Sequence, residues 1–207
     1  MLDIKNLLAG LAKNRKVFHS EADFQHALAW HIHQKMEDSQ IRLEFPMLEE
    51  DRKMYVDIWL PEEKIAIELK YVTRSLELKH KEEYFALRNH GAHDLRRYDF
   101  LQDIQRLERM RSNPELCEAG HAVLLTNDPS YWNLPRRFDT VDSDFRIHEE
   151  QVISGELAWD PRASSGTMKG RESPIRIGGS HRLCWQDYCD FPGKPSGRFR
   201  YLAVSVY

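Results

Sequence analysis

Two neighbouring runs, residues 54–60 (MYVDIWL) and 64–71 (KIAIELKY), alternate apolar and polar side chains with a period of two, and only Pro61, Glu62 and Glu63 separate them. Successive side chains of a strand point to opposite faces, so this pattern demands a β-hairpin. On the first run Val56, Ile58 and Leu60 share the face expected to meet a core, with Tyr55, Asp57 and Trp59 on the other. On the second, Ile65, Ile67 and Leu69 alternate with Ala66, Glu68 and Lys70. If Leu60 pairs with Ile65, Asp57 stands opposite Glu68 and Lys70 opposite Tyr55.

The flanking segments read as follows. Residues 2–12 form a short amphipathic helix, and Ser20, with Asp23 three residues on, caps a longer one over 21–37. Phe24, Ala27, Leu28, His31 and Ile32 recur at helical spacing and make its buried face, leaving Gln25, His26, His33 and Lys35 elsewhere. A strand over 41–46 precedes the hairpin, separated from it by a charged turn at 49–53. Residues 72–95 are charged and weakly periodic, which predicts a connection with some helix around 81–87. A strong helix follows over 96–111, burying Phe100 or Leu101, Ile104 and Leu107 and stopped by Asn113-Pro114. The apolar run 121–126 (HAVLLT) suits a strand buried on both faces and reached by a parallel crossover.

Beyond residue 128 the chain reads as irregular, with a short helix near 143–150, a loop or partly disordered stretch over 160–180, and a last strand over 199–207. The expectation is one α/β domain over 1–207 built on a mixed sheet. Its core spans about 18–128, its irregular basic extension about 129–198, and its final strand about 199–207.

A hydrophobic fraction of 41% with 30% charged residues fits a globular chain, and no apolar run approaches the roughly 20 residues a membrane span requires. The amphipathic N-terminus, acidic at Asp3, does not read as a secretory leader, and Cys117, Cys184 and Cys189 do not form a disulfide framework, so a cytoplasmic location is expected. Cys184 and Cys189 with His181 offer three zinc-type ligands at irregular spacing and no evident fourth. The net charge of −3 removes the simple case for a nucleic-acid binder. Residues 160–200, however, carry eight Lys or Arg against four Asp or Glu, a surplus of four that reads first as a solvated loop and second as phosphate contact.

Two carboxylates facing each other across a sheet repel, and a divalent cation removes that cost. Oxygen donors suit Mg²⁺, which keeps several waters and accepts phosphate oxygens. A lysine two residues past the second acid can then orient or deprotonate an attacking water and stabilise charge on the phosphoryl group. These are the requirements of phosphodiester hydrolysis.

The pattern Val56-Asp57, ten intervening residues, then Glu68-Leu69-Lys70 resembles that of the PD-(D/E)XK nucleases, with Val56 in place of the naming proline. The expected order of elements from Ser20 to Thr126 resembles the restriction-endonuclease-like core of helix, three-stranded meander, helix and strand. The resemblance implies that Asp57, Glu68 and the Leu69 carbonyl hold Mg²⁺, with Mn²⁺ able to substitute, that Lys70 serves the nucleophile, and that Glu21 is a further metal contact. It implies double-stranded DNA as substrate, endonucleolytic cleavage, a homodimer if both strands are cut, and DNA or site contacts from Arg96, Arg97 and Gln102. A nuclease-like module that binds nucleic acid or a protein without cutting is the alternative reading, and an RNA-directed nuclease the third. His90 and His93 lie on a connection near the site. Trp185, Tyr188 and Phe191 read as packing against the sheet before base stacking.

Overall fold

The computed structural model describes residues 2–49 and 52–207, so the charged turn expected at 49–53 lies partly outside the described residues. Helices α1 (Ile4–Asn14) and α2 (Glu21–Lys35) open the chain. Asp3 caps the first by accepting the Asn6 N–H at 3.0 Å, and Ser20 caps the second by accepting the Asp23 N–H at 3.1 Å. Each such cap is worth about 1 kcal/mol. Strands β1 (Arg42–Glu49), β2 (Arg52–Leu60) and β3 (Ile65–Val72) form the meander, followed by a hairpin, β4 (Leu76–His80) and β5 (Glu83–Leu87). Helix α3 (His93–Arg111) then leads to β6 (Ala119–Thr126), which lies parallel to β3. The remainder holds β7 (Val152–Leu157), the short α4 (Ser165–Met168), β8 (Ile175–Arg182), β9 (Trp185–Cys189) and β10 (Phe199–Val206).

The central sheet has six strands in the order β1-β2-β3-β6-β10-β9, antiparallel except at β3/β6, while β4/β5 and β7/β8 are separate hairpins. A mixed α/β sheet is therefore present, and helix, meander, helix and parallel strand occur in the expected order. Apolar cores lie on both sheet faces. On one, Leu8, Phe24, Leu28 and Ile32 of α1 and α2 pack with Ile58, Leu60, Ile67 and Leu69. On the other, Phe100, Ile104 and Leu107 of α3 pack with Trp59, Ala66, Ala122 and Leu124, and Ile175 and Ile177 of β8 close that layer. Burial on both faces explains why Trp59 is as much a core residue as Ile58, where only one face of the run had been expected inside. No described helix is long and apolar enough to cross a membrane.

Three segments differ from expectation. Residues 81–87 are not helical, because β4 and β5 bury Leu76, Leu78, Phe85 and Leu87 in alternation while charged neighbours face outward. The expected helix near 143–150 is only a 3₁₀ turn, Ser143–Phe145. The extension at 129–198 is largely ordered, with β7, β8 and β9 where an irregular chain had been expected. Its order comes from distant partners: Arg171 pairs with Asp99 of α3 at 2.9 Å, and the Glu108 carboxylate accepts the Gly178 and Gly179 N–H groups at 2.7 and 2.9 Å. The arginines from 162 onward are spent in the same way. Arg162, Arg171, Arg176, Arg182, Arg198 and Arg200 each meet a carboxylate.

Candidate functional site

The hairpin register holds for three pairs, Leu60↔Ile65, Trp59↔Ala66 and Ile58↔Ile67, and the ladder ends there. Asp57 thus does not pair with Glu68. Its carboxylate reaches along β3 to accept the Leu69 N–H at 2.6 Å, and its own carbonyl accepts from Gln25 Nε2 at 2.7 Å. On the other side, Glu44 interrupts the β1/β2 ladder with φ +48° and its carboxylate takes a second bond from Gln25 Nε2 at 2.8 Å. Both ladders open at Asp57, and Gln25 of α2 satisfies the backbone exposed by that opening.

Strand alternation turns Glu68 and Lys70 towards α3, which answers with two charged residues. Arg106 contacts Glu68, itself only 2% exposed, and Lys70 Nζ lies 2.6 Å from Asp103 Oδ2. Arg106 also meets Asp103 at 3.2 Å. Lys70 therefore faces Asp103 and not the exposed Tyr55. From α2, Glu21 accepts the Tyr71 N–H at 2.7 Å, so the first helical residue is anchored on the strand next to Lys70.

Four acids (Glu21, Asp57, Glu68, Asp103) thus share the site with two bases (Lys70, Arg106), an excess of two negative charges. Burial, reinforced by Asp103 and Glu21 and opposed by the Leu69 N–H and Lys70, pushes the Asp57 carboxyl up to about 6. Glu68 is raised well above the carboxylate range by burial and by Asp103 and Asp57, against the pull of Arg106. Burial alone would depress Lys70, but pairing with Asp103 and the charges of Glu21 and Asp57 outweigh it and hold the ammonium protonated.

Beside this cluster a cleft of about 300 Å³ is lined by Glu21, Lys70, Thr73, His90 and Arg96 among others. The Thr73 N–H donates to His90 Nδ1 at 2.9 Å, which fixes that ring's acceptor nitrogen. Burial and Arg96 lower the His90 pKa. Exposed Arg96 stands on the wall of this cleft. Arg97 does not: it is 4% exposed, pairs with Asp142 at 3.1 Å, donates to the Ser130 carbonyl at 3.0 Å and lies over the Tyr131 ring, so it is a packing residue and not free for DNA. Gln102 is exposed on α3, where Asp103 meets Lys70 and Arg106 meets Glu68. His93 pairs with Asp128 at 2.8 Å, and His181 with Glu108 at 2.9 Å. Trp185 and Tyr188 are buried in the sheet.

Asp103, Arg106 and Gln25 are the site residues that sequence reasoning missed. A signal was present for Asp103, since Phe100, Asp103, Ile104 and Leu107 fall on one helical stripe and a charge in a buried stripe calls for a partner. Nothing comparable marks Gln25.

Among the described residues no three His, Cys, Asp or Glu side chains converge at ligand distance. The donor chemistry nevertheless fits a hard divalent cation: the donors are oxygens, and burial together with the neighbouring acids raises the Asp57 and Glu68 carboxyls, a cost that a cation would offset. For Glu68 to ligate an ion it must give up Arg106, which now supplies the cation at that carboxylate. Comparison with models of known protein families, with curated proteins and with solved structures returns no match for this chain.

Proposed function

We propose that this chain is a metal-dependent nuclease that hydrolyses DNA phosphodiester bonds within a strand. The observation that carries the reading is the under-neutralised cluster of Asp57, Glu68 and Glu21 beside Lys70, built on two strands and a helix N-terminus at the edge of an open cleft. The order of helix, meander, helix and parallel strand supports it, being that of the PD-(D/E)XK core.

Asp57, Glu68, the Leu69 carbonyl and Glu21 would hold Mg²⁺, or Mn²⁺ in its place. Such an ion supplies Lewis acidity and a nucleophilic water at neutral pH. Lys70, kept protonated by Asp103, supplies positive charge to the phosphoryl oxygens and orients the water, and does not act as the base. Asp103 is a positioning residue through its contact with Lys70. His90, on the cleft wall with one nitrogen fixed, orients the substrate side of the cavity.

In this reading wild-type protein nicks or cleaves DNA only with Mg²⁺ or Mn²⁺, and Lys70→Ala and Lys70→Met lose at least about 100-fold in rate while melting as wild type does. Undiminished cleavage by folded Lys70 variants would remove the assignment. One observation favours a second reading, a nuclease-like module that binds without cutting: Glu68 is engaged by Arg106 and Asp57 by the Leu69 N–H. Calorimetry with Mn²⁺ separates the two, since a non-cutting module shows no saturable binding sensitive to Asp57→Asn.

A further inference from the structure

A second cleft of about 560 Å³ adjoins the first across one stretch of chain: Thr73, His90 and Arg96 line one, and Arg74, Asn89 and His93 the other. Its far wall is residues 133–137, with Arg136 and Arg137 exposed. The charges here divide sharply. Arg97 and Arg146 at the base are both taken by Asp142, at 3.1 Å each, and Asp128 by His93. Among the described residues no carboxylate meets the side chains of Arg74, Arg136 or Arg137, nor those of Arg88 and Arg96 around the first cleft.

This is unusual within the chain, whose net charge is −3 and whose basic C-terminal segment has each of its six arginines paired. Five exposed guanidiniums with no carboxylate partner among the described residues line two clefts whose walls are built from neighbouring residues, and they make a local anion track, since a planar guanidinium matches a phosphate bidentately. Leu134 and Phe138, 70% and 67% exposed, flank the two arginines on the same segment and offer apolar surface beside the cations. We infer that Arg74, Arg136 and Arg137 bind the phosphodiester backbone of the DNA that enters the Lys70 cleft, with Phe138 against its sugars and bases. The inference rests on the nuclease reading for the identity of the polyanion.

The test is fluorescence anisotropy with labelled duplex and single-stranded 30-mers in EDTA, across a salt series. The Arg136→Gln/Arg137→Gln protein should bind about tenfold or more weakly than wild type, with a salt slope on duplex shallower by about 2. Phe138→Ala should weaken binding without changing the slope. Lys13→Gln/Lys35→Gln, which alters a cavity at the other end of the molecule, should bind as wild type does. An unchanged affinity and slope in the arginine variant, an equal loss in the lysine variant, or no binding by wild type would each overturn the track. Arginine-dependent binding with no cleavage under any metal would leave the track standing and remove the nuclease reading. Cleavage by wild type that the arginine variant matches, with matching affinity, would do the reverse.

Discussion

Asp57 illustrates how a residue can oppose the stability of its own fold. Its carboxyl, raised to about 6 by burial among other acids, is ionised at neutral pH against a cost that an unfolded chain with an ordinary carboxyl does not bear. A folded-state pKa above the unfolded one means that the native state holds its proton more tightly, so stability falls as pH rises from about 4 to about 6. Asp57→Asn keeps an oxygen for the Leu69 N–H and removes the charge. Without divalent ions this variant should be about 1–3 kcal/mol more stable than wild type at pH 7.5 by urea unfolding, and the gain should vanish near pH 4. A variant less stable at both pH values would show that the charge is already compensated. Mg²⁺ should narrow the difference at pH 7.5 by stabilising wild type alone.

At the level of elements, α3 is the piece on which the site and the second core both depend. It carries Asp103 to Lys70 and Arg106 to Glu68, and it is seated by Leu107 against β6, where a side chain on Gly120 would bring its Cβ within 2.9 Å of the Leu107 Cβ. That approach is between atoms fixed to two backbones, so rotamer change cannot relieve it. Gly120→Ala should cost about 1–3 kcal/mol by urea denaturation. It should also weaken the Lys70 to Asp103 contact, because the helix must withdraw from the sheet. Wild-type stability in this variant would mean that α3 leaves room for a side chain on β6. The β4/β5 hairpin holds fewer buried side chains and leaves Tyr84 exposed, so its outer face contributes little to the fold.

For the molecule as a whole, a second buried group responds to pH in the opposite direction from Asp57. His121, fully buried on β6 with Nδ1 2.8 Å from Ser205 Oγ, is depressed to about 4 by burial, with Asp3 opposing. A lowered folded-state pKa means that the unfolded chain binds the proton more readily, so the contribution is complete above about 6.5 and is lost as pH falls towards 4. The loss is roughly 3 kcal/mol across that window. His121→Gln cannot titrate, so its stability measured by unfolding at pH 7.5, 5.5 and 4.5 should fall less steeply than that of wild type. Parallel profiles would show that His121 does not carry the acid sensitivity.

How much of this was written in the chain differs by feature. The hairpin pairing of Leu60 with Ile65, the cap at Ser20, the doubly buried β6 and the presence of Glu68 and Lys70 on one strand face were all legible, because each depends on periodicity or on contacts within a few residues. The β4/β5 hairpin was obscured by charged residues on its outer face. The order of the extension was not legible either, since Arg171, Gly178 and Gly179 are held by acids roughly seventy positions away.

Local pattern by itself determined which side chains a strand or helix presents to each face, and so placed two acids and a lysine at neighbouring positions. Only the tertiary structure decided what those groups do to one another. Arg106 meets Glu68, Asp103 fixes the charge of Lys70, the Leu69 N–H takes Asp57, and Arg97 is withdrawn into the core while Arg96 stays at the cleft. The physical reason is that alternation follows from backbone geometry within one strand. The charge state and partner of a buried group follow from desolvation and from whatever charge another element brings within a few ångströms.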